Sequence, residues 1–339
     1  MSGLQLTWYL LLAVLACGYA VLDGFDLGVG LWTLWAGGDR RRMAVLNAIA
    51  PVWDGNEVWL LAAGGASFAA FPYVYASLFS GLYPVFMILF FALIFRAVAM
   101  GFIHHENVGL FRWVWHVVLA ASSGAALFML GMVVGNLMNG LSIDAHGDWS
   151  GSHWQMFSPL AILLGLLANT LMASHGALYL GLRVKGDLLD WARGKASMAW
   201  GMSVALLLAA AAAALMARTN LAANYEANPA LVLVPLVTII TFVLTGFLNV
   251  WRLPKAAFAA STVSILGLLS TAFVAMFPRI VPAAIEANSL TIADTSSSPY
   301  TLRAMLIIAL IGLPIALGYT AFVYWLFRGR VSHEEGAAE

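Results

Sequence analysis

The chain has 339 residues, of which 62% are hydrophobic and only 9% charged, and its 16 basic and 16 acidic residues give no net charge. Ordinary soluble domains are about 45–50% apolar and about 25% charged, so this composition excludes a soluble globular fold and offers no basic surface for a nucleic acid. The only cysteine is Cys17, which excludes a disulfide framework, a thiolate zinc site and covalent attachment of a c-type haem.

Nine apolar runs are long enough to cross a bilayer, whose core of about 30 Å requires about 20 residues of helix. They predict an all-α integral membrane protein that forms one transmembrane domain over residues 1–339. The second run is short and begins with polar residues, so eight spans is the alternative count. The predicted spans cover residues 7–36, 51–71, 76–101, 113–138, 157–181, 196–217, 230–250, 256–280 and 302–327.

The basic residues predict the orientation, because cytoplasmic loops retain Lys and Arg. Three basic residues fall in connections on one side, namely Arg218, Arg279 and Arg303. Twelve fall on the other side: Arg40, Arg41, Arg42, Arg112, Arg183, Lys185, Arg193, Lys195, Arg252, Lys255, Arg328 and Arg330. We therefore expect the N-terminus outside and the C-terminus in the cytoplasm.

Ionisable groups inside spans are costly and indicate function by default. Asp23 and Asp26 lie three residues apart in the first span, and Asp54 and Glu57 repeat that spacing at the start of the second, so each pair shares a helix face. The first helix runs inward and the second outward, which places both pairs in the cytoplasmic half of the bilayer. Arg96, near the inner end of the third span, lies at a similar depth and is the expected charge partner.

Two interpretations of these five ionisable groups, which lie in one layer of the membrane, stay open. A buried network of ion pairs and hydrogen bonds would hold the helices together. Gly24 and Gly28 suit that interpretation for Asp23 and Asp26, because small residues four apart allow close helix contact.

The second interpretation is a proton relay, which is favoured for Asp54 above Glu57. Their helix begins beside Pro51, and Trp53 and Trp59 bracket both acids. A carboxyl group there can take protons from cytoplasmic water and pass them inward. The proton-pathway candidates are Asp54, Glu57, Asp23 and Asp26.

The histidines make a poor case for a metal or haem site. His116 and His175 lie in or beside spans, but isolated histidines offer no facing pair of axial ligands, and a satisfied core histidine is favoured for each. His146 and His153 lie in an external loop near two aspartates, at a spacing that does not favour a metal ion.

Two motifs in the first two spans are the most specific signals in the chain. They are Asp23-Gly24-Phe25-Asp26-Leu27-Gly28-Val29-Gly30 and Trp53-Asp54-Gly55-Asn56-Glu57-Val58-Trp59. Further stretches follow in order: Ala63-Gly64-Gly65-Ala66, Phe68-Ala69-Ala70-Phe71-Pro72, Phe95-Arg96, Gly135-Asn136-Leu137, Gly176-Ala177-Leu178-Tyr179-Leu180, Met276-Phe277-Pro278 and Leu290-Thr291-Ile292-Ala293-Asp294-Thr295-Ser296-Ser297. Together they resemble subunit II of the cytochrome bd-type quinol oxidases over nearly the whole chain.

The resemblance implies a subunit of a terminal oxidase of the bacterial cytoplasmic membrane, which oxidises quinol and reduces dioxygen to water in aerobic respiration. Its partner would be subunit I, which would carry the b-type and d-type haems, so we expect no haem ligated by this chain. The resemblance associates the carboxyl of the Trp-Asp-Gly-Asn motif, here Asp54, with cytoplasmic proton supply. A structural quinone and small accessory single-span subunits stay open.

One departure from the family pattern concerns the third span. Many members carry an acid about five residues after the Phe-Arg pair, whereas this chain has Gly101. We therefore expect Arg96 to pair with another helix. His104 and His105 lie in a predicted cytoplasmic loop and are expected to be solvated; with Glu106, they would alter the proton entrance.

Two other classes of protein compete with this interpretation. A proton-coupled secondary transporter would suit paired intramembrane acids, but it predicts inverted repeats and helices broken at the midplane, and no internal repeat is evident. A self-sufficient membrane cytochrome is opposed by the sparse histidines.

Overall fold

The computed structural model describes residues 1–105, 109–217 and 219–329. The helices are α1 (Gly3–Thr33), α2 (Asp39–Asn47), α3 (Trp53–Ala70), α4 (Pro72–Gly81), α5 (Tyr83–His105), α6 (Gly109–Asn139), α7 (Pro159–Arg183), α8 (Gly186–Ala214), α9 (Ala223–Ala227), α10 (Leu233–Val250), α11 (Pro254–Met276), α12 (Ile292–Thr295) and α13 (Pro299–Leu326). Short 3-10 turns cover His153–Phe157, Pro229–Val232 and Glu286–Asn288. Strands β1 (Arg279–Val281) and β2 (Leu290–Thr291) pair antiparallel.

Eight helices in the described part of the chain are long and apolar enough to cross a membrane, and the bent pair of α3 and α4 brings the count to as many as nine. The predicted all-α membrane class is confirmed, and the two counts considered from the sequence, nine and eight, differ in how this pair is treated. The orientation of the termini stays a prediction.

The chain bends by 118° between α3 and α4. The bend follows from Pro72, which cannot donate a backbone hydrogen bond and disfavours helical geometry at the residue before it. The backbone N–H of Ser297 donates to the carbonyl of Ala70 at 2.8 Å, and its hydroxyl donates to the carbonyl of Ala69 at 2.6 Å. The loop before α13 therefore satisfies the carbonyls that the bend leaves free.

Several predicted span boundaries differ from the structure, three of them for identifiable reasons. The sequence predicts that the third span begins at residue 76, but residues 72–81 form the separate helix α4 and the span begins at Tyr83. The sixth begins at Gly186 rather than 196, because a charged segment continues the helix beyond its apolar part. The eighth ends at Met276 rather than 280, since Pro278 and strand β1 follow.

Helix α7 lies at the centre of the bundle and packs against α1, α6, α8 and α11. Residues 171–181 are buried on every side, as expected for a helix surrounded by other helices. A Cβ atom at Gly28 would lie 1.9 Å from the carbonyl oxygen of Met172, and one at Gly176 would lie 2.5 Å from the backbone nitrogen of Val29. Helices α1 and α7 thus meet backbone to backbone, the close contact that the small residues of α1 predicted.

Candidate functional site

The buried charges of α1 and α5 form an ion pair. Arg96 of α5 donates from its two terminal nitrogens to the two carboxylate oxygens of Asp23, at 2.7 and 2.6 Å, and both side chains are buried. The guanidinium also lies 5.8 Å from the ring centre of Trp53, within range of a cation–π contact. Arg96 therefore pairs with another helix, as Gly101 predicted.

Asp26 has a different environment, although it lies one turn further along α1. Its Oδ2 accepts a hydrogen bond of 2.7 Å from the amide nitrogen of Asn56, while its Oδ1 has no hydrogen-bond partner among the described protein atoms. The same amide nitrogen donates to the carbonyl of Leu22 at 3.2 Å, and the amide oxygen accepts from the hydroxyl of Tyr324 at 3.0 Å. Asn56 thus joins α1, α3 and α13.

Sequence reasoning missed both Asn56 and Tyr324 as site residues. The signal for Asn56 was its place between Asp54 and Glu57 in the second motif. It lies about 200° around the helix from Asp54 at 3.6 residues per turn, and it is buried. Nothing in the sequence indicated that Tyr324 belongs to the site, since it lies 268 residues after Asn56 in the chain.

The structure separates the four candidate acids. Asp23 and Asp26 are fully buried, Glu57 is half-buried, and Asp54 is exposed on the surface of this chain. Glu57 interacts electrostatically with Arg96 and Asp23 on the inner side and with Asp54 on the outer side. It is therefore intermediate between the exposed acid and the buried ones.

Asp54 lies at the start of a face of α3 that no other part of the described chain covers. We call this the open face of α3, made of Asp54, Val58, Leu61, Gly65 and Phe68, which recur every three or four residues. Val58, Leu61 and Phe68 are 54%, 72% and 59% exposed, and a Cβ atom added at Gly65 would meet no atom within 4 Å. An acid thus heads an otherwise apolar stripe.

The two span histidines differ. His175 is a satisfied core residue, as predicted: its Nδ1 contacts Ser261 Oγ at 2.9 Å, its Nε2 contacts the Val21 carbonyl at 3.3 Å, and its ring stacks on Phe258. His116 is also buried, but neither ring nitrogen has a partner among the described residues, so the prediction of a satisfied histidine is wrong there.

Two further groups of histidines were considered from the sequence. His104 and His105 are exposed, as predicted, but they end helix α5 rather than lying in a loop, and each contacts a carbonyl of that helix at 2.9 Å. Glu106 lies outside the described residues. In the loop between α6 and α7, Asp144 accepts backbone hydrogen bonds from Asp148 at 3.0 Å and His146 at 2.9 Å, which lower the pKa of its carboxyl. That acid closes a turn. The described residues contain no group of three or more His, Cys, Asp or Glu that could hold a metal ion.

Comparison with known proteins gives one consistent family. The profile of the family described as "Cytochrome bd terminal oxidase subunit II" matches residues 4–327. The chain is 34% identical to "Cytochrome bd-I ubiquinol oxidase subunit 2" of Escherichia coli (strain K12), over 98% of this chain and 96% of that protein. It is also 34% identical to "Cytochrome bd ubiquinol oxidase subunit 2" of Bacillus subtilis (strain 168), over 99% of each chain.

A solved structure has the same fold. The chain superposes on a chain of "The structure of bd oxidase from Geobacillus thermodenitrificans" with a TM-score of 0.81, covering 96% of this chain and 99% of that one at 17% identity.

Proposed function

The chain belongs to the cytochrome bd terminal oxidase subunit II family, and we propose that it supplies cytoplasmic protons to a haem-bearing subunit I. Its relatives are subunits of an oxidoreductase complex, and it is a multi-pass protein of the bacterial inner membrane. The complex we propose oxidises quinol and reduces dioxygen to water, with the b-type and d-type haems in subunit I.

The open face of α3 is the observation that carries the proposal. An exposed acid at the head of an apolar stripe would face hydrocarbon if lipid covered it, at a cost of several kcal/mol. A protein partner that packs on Val58, Leu61 and Phe68 can instead give Asp54 polar neighbours. We therefore place subunit I on this face, with Asp54 at the interface.

The order of the acids supports a proton route. Asp54 lies in the first turn of α3, and Glu57 lies about 4.5 Å further along the axis at 1.5 Å per residue. Glu57 also interacts with Asp54. Protons that enter at the cytoplasmic end therefore meet an exposed acid first and a half-buried one next.

The histidines of this chain support a partner as the haem-bearing subunit. Both ring nitrogens of His175 already contact protein groups. His116 lies among the charges of Arg42, Asp39, Arg112 and His104, a setting unlike an apolar haem pocket. The donor set therefore does not fit a haem with two axial ligands from this chain.

Co-expression with and without subunit I, followed by purification and an optical spectrum, tests the assignment. We expect haem absorption only when both subunits co-purify. Stoichiometric haem in this chain alone would support a self-sufficient cytochrome instead. Proton-coupled solute uptake by the chain without haem would support a secondary transporter.

A further inference from the structure

We propose that Asp26 holds a proton in the resting complex and is the buried proton store behind Glu57, positioned by Asn56. Its place in a relay rests on the function proposed above, whereas its protonated state rests on the geometry alone.

The first step concerns charge. The carboxylate of Asp23 engages both terminal nitrogens of Arg96, so these two buried groups neutralise each other. Asp26 is fully buried and forms no salt bridge with any described residue. An ionised carboxyl in that position would be a buried charge without a counter-ion, and such groups take a proton instead.

The second step concerns hydrogen bonds. An ionised carboxylate accepts at two oxygens, whereas a protonated one carries an O–H on one oxygen and accepts at the other. Asp26 receives one neutral donor, the Asn56 amide, at Oδ2. Its Oδ1 receives none from the described protein atoms. One neutral donor is fewer than a buried ionised carboxylate requires, and Oδ1 is the oxygen left free to carry a proton.

The third step concerns Asn56, whose contacts fix the direction of its amide. The Leu22 carbonyl can only accept, so it must face the amide nitrogen, and the Tyr324 hydroxyl can then donate to the amide oxygen. This direction turns an N–H toward Asp26 Oδ2. Asn56 therefore acts as a positioning residue that directs the acidic proton to Oδ1.

The ionisable groups around Asp26 supply no unpaired cation. Those that interact electrostatically with Asp26 are Asp23, Arg96, Glu57, Tyr179 and Tyr324. The only cation among them is Arg96, which Asp23 already neutralises, and the nearest acid on the proposed route is Glu57. In each transfer the O–H bond of Asp26 breaks as its proton passes toward subunit I, where it ends in an O–H bond of the water formed from dioxygen, and a proton from the side of Glu57 restores the O–H bond of Asp26.

Infrared difference spectroscopy of the assembled oxidase complex tests the protonated state. We expect a C=O stretching band of a protonated carboxylic acid, sensitive to exchange into D2O, that disappears in Asp26→Asn. The matched control Asp190→Asn, which removes an exposed acid of α8, should keep the band. Asn56→Ala should shift its frequency, because Oδ2 loses its donor.

Assembly gives an independent readout. Asparagine resembles a protonated aspartic acid, so Asp26→Asn should retain the haem content and thermal midpoint of the parent complex. A band that persists in Asp26→Asn, or a failure of that variant to assemble, would overturn the proposal. If the band is lost but Asp54→Asn leaves turnover unchanged, the protonated state of Asp26 stands and the relay fails.

Discussion

Arg96 on α5 and Asp23 on α1 form a bidentate ion pair with both side chains buried. Removing two such charges from water is costly, and their attraction offsets this cost only while both are present. The contact between α1 and α5 therefore depends on both charges, because either one alone would be a buried charge without a counter-ion.

Loss of one partner should thus be worse than loss of both. Arg96→Leu leaves the carboxyl of Asp23 buried without its cation, and breaking a buried pair in this way costs about 3–5 kcal/mol. We expect low yield and a lowered thermal midpoint of the complex. The double variant Asp23→Asn with Arg96→Leu should recover part of the loss. A double variant less stable than either single one would contradict this account.

The contact between α1 and α7 should not tolerate a methyl group. A Cβ at Gly28 would lie 1.9 Å from a backbone oxygen, and neither helix can move away without disturbing the packing around α7. Gly28→Ala should therefore prevent assembly or lower the thermal midpoint strongly. The matched control is Gly201→Ala in α8, where a Cβ would meet nothing within 4 Å, and it should leave the midpoint unchanged or higher.

Asp54→Asn tests the proton supply. The substitution keeps size and hydrogen bonding but removes the titratable proton, so the assembled complex should keep its haem spectrum while turnover falls at least about tenfold, a barrier increase of about 1.4 kcal/mol. Oxygen consumption per haem measures this, with Asp190→Asn as the control. If Asp54 is only structural, assembly should fall instead and turnover per intact complex should stay near normal.

The orientation of the chain can be checked with reporter fusions. The predicted topology places twelve basic residues on one side and three on the other, so fusions after residue 40 and at the C-terminus should both report the cytoplasm. A fusion within residues 144–150 should report the opposite side. Opposite results for residue 40 and the C-terminus would refute the topology.

The turn at Asp144, between α6 and α7, should loosen in acid. Its carboxyl accepts backbone N–H groups from Asp148 and His146, which lower its pKa in the folded protein. A group with a lowered folded pKa stabilises the turn above its unfolded pKa of about 3.9 and loses that effect as the pH falls through the folded value. The hydrogen-exchange protection factors of residues 144–150, which compare each rate with the intrinsic rate at the same pH, should therefore be high near neutral pH and lower in acid. The Asp144→Ala variant should show low protection factors throughout.

The depth of the charged layer could be predicted from the sequence, but its pairing could not. Apolar runs locate each span to within several residues, so the approximate depths of Asp23 and Arg96 along the membrane normal follow from counting residues. Which side chains meet depends on the rotation of each helix about its axis. A membrane helix is apolar on most of its faces, so its sequence pattern gives little information about that rotation. Hence the Arg96 partner was expected on another helix without being identified.

Asn56 illustrates the same limit in another way. A carboxyl group in a span stands out because burying it is costly, whereas an amide next to two acids does not. The i,i+3 spacing grouped Asp54 with Glu57, and the two acids do interact. It did not indicate that the opposite face of α3, which carries Asn56, packs into the bundle. Only the packing of α3 against α1 distinguishes the two faces.

The light packing of α13 has a consequence for biogenesis. Leu302 is the one fully buried residue among the described residues of this helix, and Tyr324 reaches the bundle through its bond to Asn56. Because α13 is synthesised after α1–α12, the preceding helices can fold against one another before it leaves the translocation machinery. Insertion of α13 then brings the Tyr324 hydroxyl to the amide oxygen of Asn56, so a chain truncated before α13 would lack this hydrogen bond between α3 and α13.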